Sequence, residues 1–104
     1  MRLISQCGTT DISYDNYSLS VCNMYGFNKE TQTHELKGYE IKAGAYETCF
    51  VMGEYSTKEK ALKVMEMLQN QYKRFITTVL MDIKKENIYF RFPADEDEKE
   101  RVNG

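Results

Sequence analysis

From Ala61 onward the apolar residues of this chain recur in alternating steps of four and three: Ala61, Met65, Leu68, Tyr72, Phe75 and Val79. That is the period of an α-helix with one buried face. Leu62, Val64, Ile76, Leu80 and Ile83 widen the same stripe. A rod that is apolar along one side must lie against a second layer, so the stripe constrains everything before it. Its start is marked by Ser56-x-x-Glu59, the spacing of a capping box, in which the Ser56 hydroxyl accepts from the Glu59 N–H and the Glu59 carboxylate reaches back to the Ser56 N–H. An anion site at this helix start is disfavoured, because no glycine-rich loop precedes it and Glu59 would repel the ligand.

The far end of the helix has two readings. Nothing interrupts the pattern before Asn87, which predicts a helix from Thr57 to about Lys85. The β-branched run Thr77, Thr78, Val79 would instead end it near Arg74. In the longer form Phe75, Ile76, Val79, Leu80 and Ile83 outrun a small sheet and leave an apolar patch. The simplest partner for such a patch is a second copy on a two-fold axis, so a homo-oligomer is expected.

The second layer is a sheet. Tyr17, Leu19, Val21, Tyr25 and Phe27 alternate with Ser18, Ser20 and Gly26, a half-buried strand with Asn23 as the exception on its inner face. The polar stretch from Asn28 to Gly38 reads as a loop or a long hairpin tip. Tyr39, Ile41 and Ala43 alternate again, Gly44 favours a turn, and Tyr46–Tyr55 supplies another strand. That strand is apolar on both faces, with Tyr46, Phe50 and Met52 on one and Cys49, Val51 and Tyr55 on the other, which predicts either a central position in the sheet or a cover on both faces. Arg2 to Ser5 and Asp11 to Tyr14 are short extended candidates, and Ile88, Phe90 and Phe92 alternate with Tyr89 and Arg91 up to Pro93. The expected fold is α+β: a mainly antiparallel sheet of four to six strands packed against one long amphipathic helix. A single domain would span residues 1–93, with 94–104 a charged, flexible tail.

Chemistry is harder to find. His34, the one histidine, falls in the polar stretch. Cys7, Cys22 and Cys49 are an odd set at wide spacings, which argues for reduced thiols and against both a disulfide framework and a Cys/His metal site. Cys7 beside Gly8 has no activating partner in the sequence, so an inert thiol is the default. No nucleophile elbow, phosphate loop or dinucleotide fingerprint occurs. Glu47 and Glu54, seven residues apart in strand sequence, point to opposite faces, and the charge run from Asp95 to Glu100 reads as a solvated segment. A non-catalytic protein without cofactor or metal is expected.

A net charge of −2 supplies no field for a nucleic-acid polymer. No window approaches the roughly 18 apolar residues of a spanning helix, and the first residues carry no signal-type run; a cytoplasmic protein with no membrane partner is expected. The unusual feature is eight Tyr and six Met with no Trp, residue types favoured at interfaces. Tyr89 and Arg91 share one face of the last strand, where an aromatic ring can stack on a base while a guanidinium pairs with a phosphate. Tyr46 and Arg74 are further candidates of the same two types for holding a ligand or partner.

Four stretches, "MRLISQ", "DISY", "GEYSTKEKA" and "FRFPADED", together resemble a group of short proteins encoded by phages and prophages of Gram-positive bacteria. The resemblance covers both ends and the strand-to-helix junction. The stretch from Asn28 to Gly38 and that from Lys73 to Asn87 look private to this chain, and Ser13 stands where the group often has proline. The resemblance implies a phage accessory protein in the host cell cytoplasm and brings no catalytic residues. The leading expectation is a binding protein that counters host defence by sequestering a small nucleotide signal. The alternatives are an inhibitor docking on a host defence protein, a structural or assembly protein of the virion, and a small carboxylate-dependent hydrolase.

Overall fold

The computed structural model describes residues 1–80 and 89–95. The chain is α+β, as expected, but the six strands among the described residues form two three-stranded sheets in place of one. The first has order β2-β1-β6, from β1 (Arg2–Ile4), β2 (Asp11–Ser13) and β6 (Tyr89–Arg91). The second has order β3-β4-β5, from β3 (Ser18–Asn28), β4 (Thr33–Ala45) and β5 (Thr48–Tyr55). A 3-10 turn, Tyr14–Asn16, joins them, and α1, the one α-helix among the described residues, spans Lys58–Leu80. All pairings are antiparallel except β1 with β6, which is parallel. No described helix is long and apolar enough to cross a membrane.

One core serves both sheets and the helix. The register aligns Leu3 with Ile12 and with Phe90, and these residues, with Phe92, meet Ile41, Ala43, Met52 and Tyr55 of the second sheet and Ala61, Val64 and Leu68 of α1. Two bulges set which residues face it. In β5, Ile41 pairs with Gly53 and Lys42 with Val51, so Met52 is the extra residue. Strict alternation puts Phe50 and Tyr55 on opposite faces; the bulge brings both inward, opposite Ala43 and Tyr39. β5 is therefore an edge strand of its sheet, and the central strand is β4. The apolar residues on both sides of the sequence pattern reflect the bulge, not burial on two faces.

The stretch Asn28–Gly38 is mostly strand. β4 begins at Thr33, and the turn is only four residues long, with the Asn28 side-chain oxygen accepting from the N–H groups of Glu30 (2.9 Å) and Thr31 (3.4 Å). Of the two readings the sequence left open, the long hairpin tip holds; polar residues on both faces, with no hydrophobic alternation, did not decide between them. β3 and β4 thus form a long hairpin, about 36 Å for the eleven residues of β3 at roughly 3.3 Å per residue. β5 covers β4 only from Tyr39 onward. A bulge at Lys37 separates the Met24–Gly38 and Tyr25–Leu36 pairs, so the outer half is a two-stranded arm. On the arm Tyr25 and Phe27 keep the face that sequence assigned them but are 60% and 54% exposed, because neither sheet nor helix reaches that far. Gly44 pairs with Cys49 inside the ladder, and the turn falls two residues later, at Tyr46 and Glu47, with Tyr46 at φ 56°. Gly38 is where the hairpin crosses close to β5: a Cβ there would lie 2.7 Å from the Tyr55 carbonyl oxygen.

The helix starts one residue later than the capping box implies. Thr57 Oγ1 accepts from the Lys60 N–H at 3.2 Å, while Ser56 gives its N–H and hydroxyl to the Asp95 carboxylate at 3.1 and 3.3 Å. The carboxylate brought in after β6 takes Ser56, and the cap passes to its neighbour. Asp95, expected to be solvated in the charge run, is held at the junction, and Lys60 lies 3.4 Å from it; residues 96–104 of the expected tail lie outside the described residues. Glu59 sits in the first turn, where the helix dipole favours it.

The helix does not end near Arg74. Thr77 and Thr78 donate their hydroxyls to the carbonyls of Lys73 and Arg74 at 3.0 and 2.9 Å, a geometry in which these side chains sit in a helix without diverting its backbone. The described helix closes at Leu80, about 35 Å from its start. Full burial stops at Leu68. Tyr72 stacks on Tyr14 with ring centroids 4.6 Å apart, Phe75 and Val79 are half-buried, and Ile76 and Leu80 are exposed. Ile83 and Ile88 lie outside the described residues.

Candidate functional site

Residues 1–6, 11–14, 53–61 and 90–95 meet in space. β1 lies between β2 and β6, the Phe92 N–H donates to the Ile4 carbonyl at 3.0 Å, and the Gln6 N–H donates to the Met52 carbonyl at 2.7 Å. The Gln6 carboxamide then completes a clasp: Oε1 accepts from the Glu54 N–H (3.0 Å), and Nε2 donates to the carbonyls of Glu54 (3.2 Å) and Pro93 (3.0 Å). A primary amide presents a donor and an acceptor side by side, so it bonds the free edge of β5 as a strand peptide would. Tyr55 donates its hydroxyl to the same Pro93 carbonyl at 2.7 Å. Burial is the main cause that pushes this phenol well above its ordinary range, with the Asp95 charge adding to it. An open cleft of about 420 Å³ lies here, between Gln6, Glu54, Tyr55, Ser56 and Asp95. Gln6, Tyr55, Ser56 and Asp95 are all committed to internal hydrogen bonds. The cleft is a joint between segments.

The outer face of the first sheet is different. Since Leu3, Ile12 and Phe90 point inward, Arg2, Ile4, Tyr89, Arg91, Asp11 and Ser13 point outward. Tyr89 is half exposed and pairs in register with Arg2. Arg2 is bonded to Asp11, Nε to Oδ1 at 2.8 Å, a solvated pair of little stabilising value. Arg91 has no carboxylate within ion-pair distance among the described residues. Its guanidinium lies over Gly8, where a Cβ would come 3.2 Å from Nη2, and Gly8 itself has φ 81°. The positive φ favours glycine there, and a side chain would also push the guanidinium back by a few tenths of an ångström. An exposed aromatic ring and two guanidinium groups thus share one solvent-facing surface.

Beside Gly8, Cys7 is more reactive than the sequence implied. Its Sγ lies 2.9 Å from Thr9 Oγ1 and 3.5 Å from Ser5 Oγ. Hydrogen bonds from the Thr9 side chain first, then Ser5, bring the thiol down to about 7, because they stabilise the thiolate. Iodoacetamide should therefore alkylate Cys7 with a half-maximal rate near pH 7. Thr9→Ala should move that midpoint upward, and an unchanged profile, read by mass spectrometry of the labelled peptide, would show that the hydroxyl plays no part.

Of the four ligand-gripping candidates, Tyr89 and Arg91 lie together. Arg74 is one helical turn beyond Gln71, whose Nε2 donates to the Tyr89 carbonyl at 3.4 Å, so it sits on the rod near the start of β6. Tyr46 is apart from them, fully exposed on the β4–β5 turn, at the end of β5 away from the clasp. His34 is on the arm, edge-on to Phe27 at 5.3 Å. Arg2 was missed because its membership depends on a register between β1 and β6 that no local pattern encodes. No group of three or more His, Cys, Asp or Glu suited to a metal occurs among the described residues. Comparison with models of known families, with curated proteins and with solved structures finds no match to this chain.

Proposed function

We propose that the protein is a non-catalytic binding protein that sequesters a small nucleotide, gripped on the outer face of the first sheet. The observation that carries this reading is the pairing of exposed Tyr89 with Arg91, a guanidinium with no carboxylate partner among the described residues. The ring offers a stacking surface to a base, and the guanidinium offers a fork to a phosphate. Arg2 beside Tyr89 adds a second positive charge. The resemblance to phage proteins supplies the biological setting, in which removal of a nucleotide signal would blunt host defence.

Calorimetric titration with a panel of linear and cyclic nucleotides tests it. Binding to at least one is expected, with Arg91→Ala weakening it by roughly ten- to a hundredfold, the loss of a charge-assisted hydrogen bond of about 1.5–3 kcal/mol. Tyr89→Ala should weaken it comparably, at about 1–3 kcal/mol for a stacked base. No heat from any nucleotide would remove the reading. A second reading, docking on a host defence protein, draws on the exposed Ile76 and Leu80 at the end of the helix; it predicts a complex with a host protein that Leu80→Glu abolishes.

A further inference from the structure

Independently of any ligand, we propose that β3 is a dimerisation edge: two copies pair β3 to β3 antiparallel, in full register about Asn23, and make one continuous six-stranded sheet. β3 is bonded on one side only, to β4. Among the described residues no backbone hydrogen bond other than that ladder involves Ser18–Asn28. Open edges are normally protected by charge, proline, a bulge or shortness. This one has none of them. Its eleven residues, SLSVCNMYGFN, contain no charge and no proline, and the bulges of this sheet fall on β4 and β5, leaving β3 regular. The lack of charge matters for self-pairing, since a strand antiparallel to its own copy sets residues near the axis against themselves and like charges there repel.

The pattern is self-complementary. Antiparallel pairing of one edge with itself requires a two-fold axis perpendicular to the sheet, which keeps the inner faces of both copies on the same side. Full overlap of Ser18–Asn28 puts Asn23 on the axis, facing itself. It sets Val21 against Tyr25 of the second copy and Leu19 against Phe27 of the second copy. Aromatic residues opposite aliphatic and β-branched ones are favourable cross-strand pairs. Tyr25 and Phe27, left exposed on the arm, are both covered in this register. Leu19 also borders an open hollow of about 460 Å³ of mixed lining, with Tyr17, Met65 and Leu68 beside Asp15 and Gln69, into which the incoming Phe27 ring can lean. Asn23, the one polar residue on this face, donates Nδ2 to the Tyr25 hydroxyl at 3.1 Å, which leaves its other amide hydrogen and its oxygen to meet the second copy's amide at the centre, and it penalises any shifted register, in which it would oppose an apolar side chain.

Light scattering of the full chain should give a dimer, and Asn23→Lys, which puts two ammonium groups on the axis at an exposed position, should give a monomer with unchanged far-ultraviolet circular dichroism. Leu80→Glu should leave the dimer intact. A monomer at every concentration, or a dimer that survives Asn23→Lys or dissociates with Leu80→Glu, would overturn the proposal. Register is read by oxidation after Cys7, Cys22 and Cys49 are replaced by serine. Asn23→Cys places two Cα atoms about 4.5–5.5 Å apart, within disulfide range, and should cross-link nearly completely. Val21→Cys and Tyr25→Cys, each offset from its own copy by four residues or roughly 13 Å, should not. Stronger cross-linking at either of those positions than at Asn23 would also overturn it.

Discussion

Phe92→Ala should lower the free energy of unfolding by about 3–5 kcal/mol, the range for removing a buried phenylalanine with partial collapse of the cavity. Phe92 is 1% exposed, meets Phe90 edge-on at 5.1 Å, and belongs to the cluster shared by both sheets and the helix. Its own N–H anchors the segment to Ile4, so a hole at this point loosens the register of β6 as well as the packing. The whole stability of a domain this size is of order 5–15 kcal/mol, so the variant should lose a large share of it and unfold at a clearly lower urea concentration. Urea unfolding followed by circular dichroism measures it. A loss below about 1 kcal/mol would mean that the segment after β6 does not pack on the core at all. Tyr46→Ala is the control: the same chemistry on a fully exposed turn residue should change stability by no more than about 0.5 kcal/mol.

Gln6→Ala comes next, at about 2–3 kcal/mol. Three hydrogen bonds are lost, each worth about 1 kcal/mol net, and the carbonyl of Pro93 keeps only the Tyr55 hydroxyl. Partial access of water to Gln6 lowers the total below that for a sealed site. The informative companion is Gln6→Glu. It keeps the length and the acceptor for the Glu54 N–H, but a carboxylate cannot donate to the carbonyls of Glu54 and Pro93. At neutral pH Gln6→Glu should therefore be at least as destabilising as alanine, and it should recover part of the loss below about pH 4, where the protonated acid regains one donor. Equal stability of Gln6→Glu and the parent at pH 7 would show that the side chain fills space without bonding the β5 edge.

What could be read from the residues follows the range of the interaction concerned. The helical stripe, the alternation of β3 and the final strand were legible because each is a local repeat, and Thr77 and Thr78 misled only in offering an earlier stop. The Asn28–Gly38 stretch was obscured because a solvated arm imposes no hydrophobic alternation. The bulge at Met52 shifted the parity of Tyr55 relative to Phe50, which no periodic template anticipates. The cap moved from Ser56 to Thr57 because of a carboxylate 39 residues away, and the division into two sheets depends on which distant strands find one another. The candidate surface divides likewise. Tyr89 and Arg91 share a face by simple alternation and were found; Arg2 joins them only through the parallel ladder, and the Gly8 seat of the Arg91 guanidinium required the folded loop.

The parallel pairing of β1 with β6, fastened where Gln6 reaches Pro93 across 87 positions of chain, also governs the order in which the molecule can assemble. The hairpin of β3 and β4 and the rod behind it need only near neighbours and can form while synthesis is under way. The small sheet cannot, because its middle strand is synthesised long before the strand it pairs with in parallel. Until that late arrival Leu3 and Ile12 have no Phe90 beside them, and the nascent chain carries an unfinished hydrophobic surface that a chaperone or an aggregating neighbour is free to find.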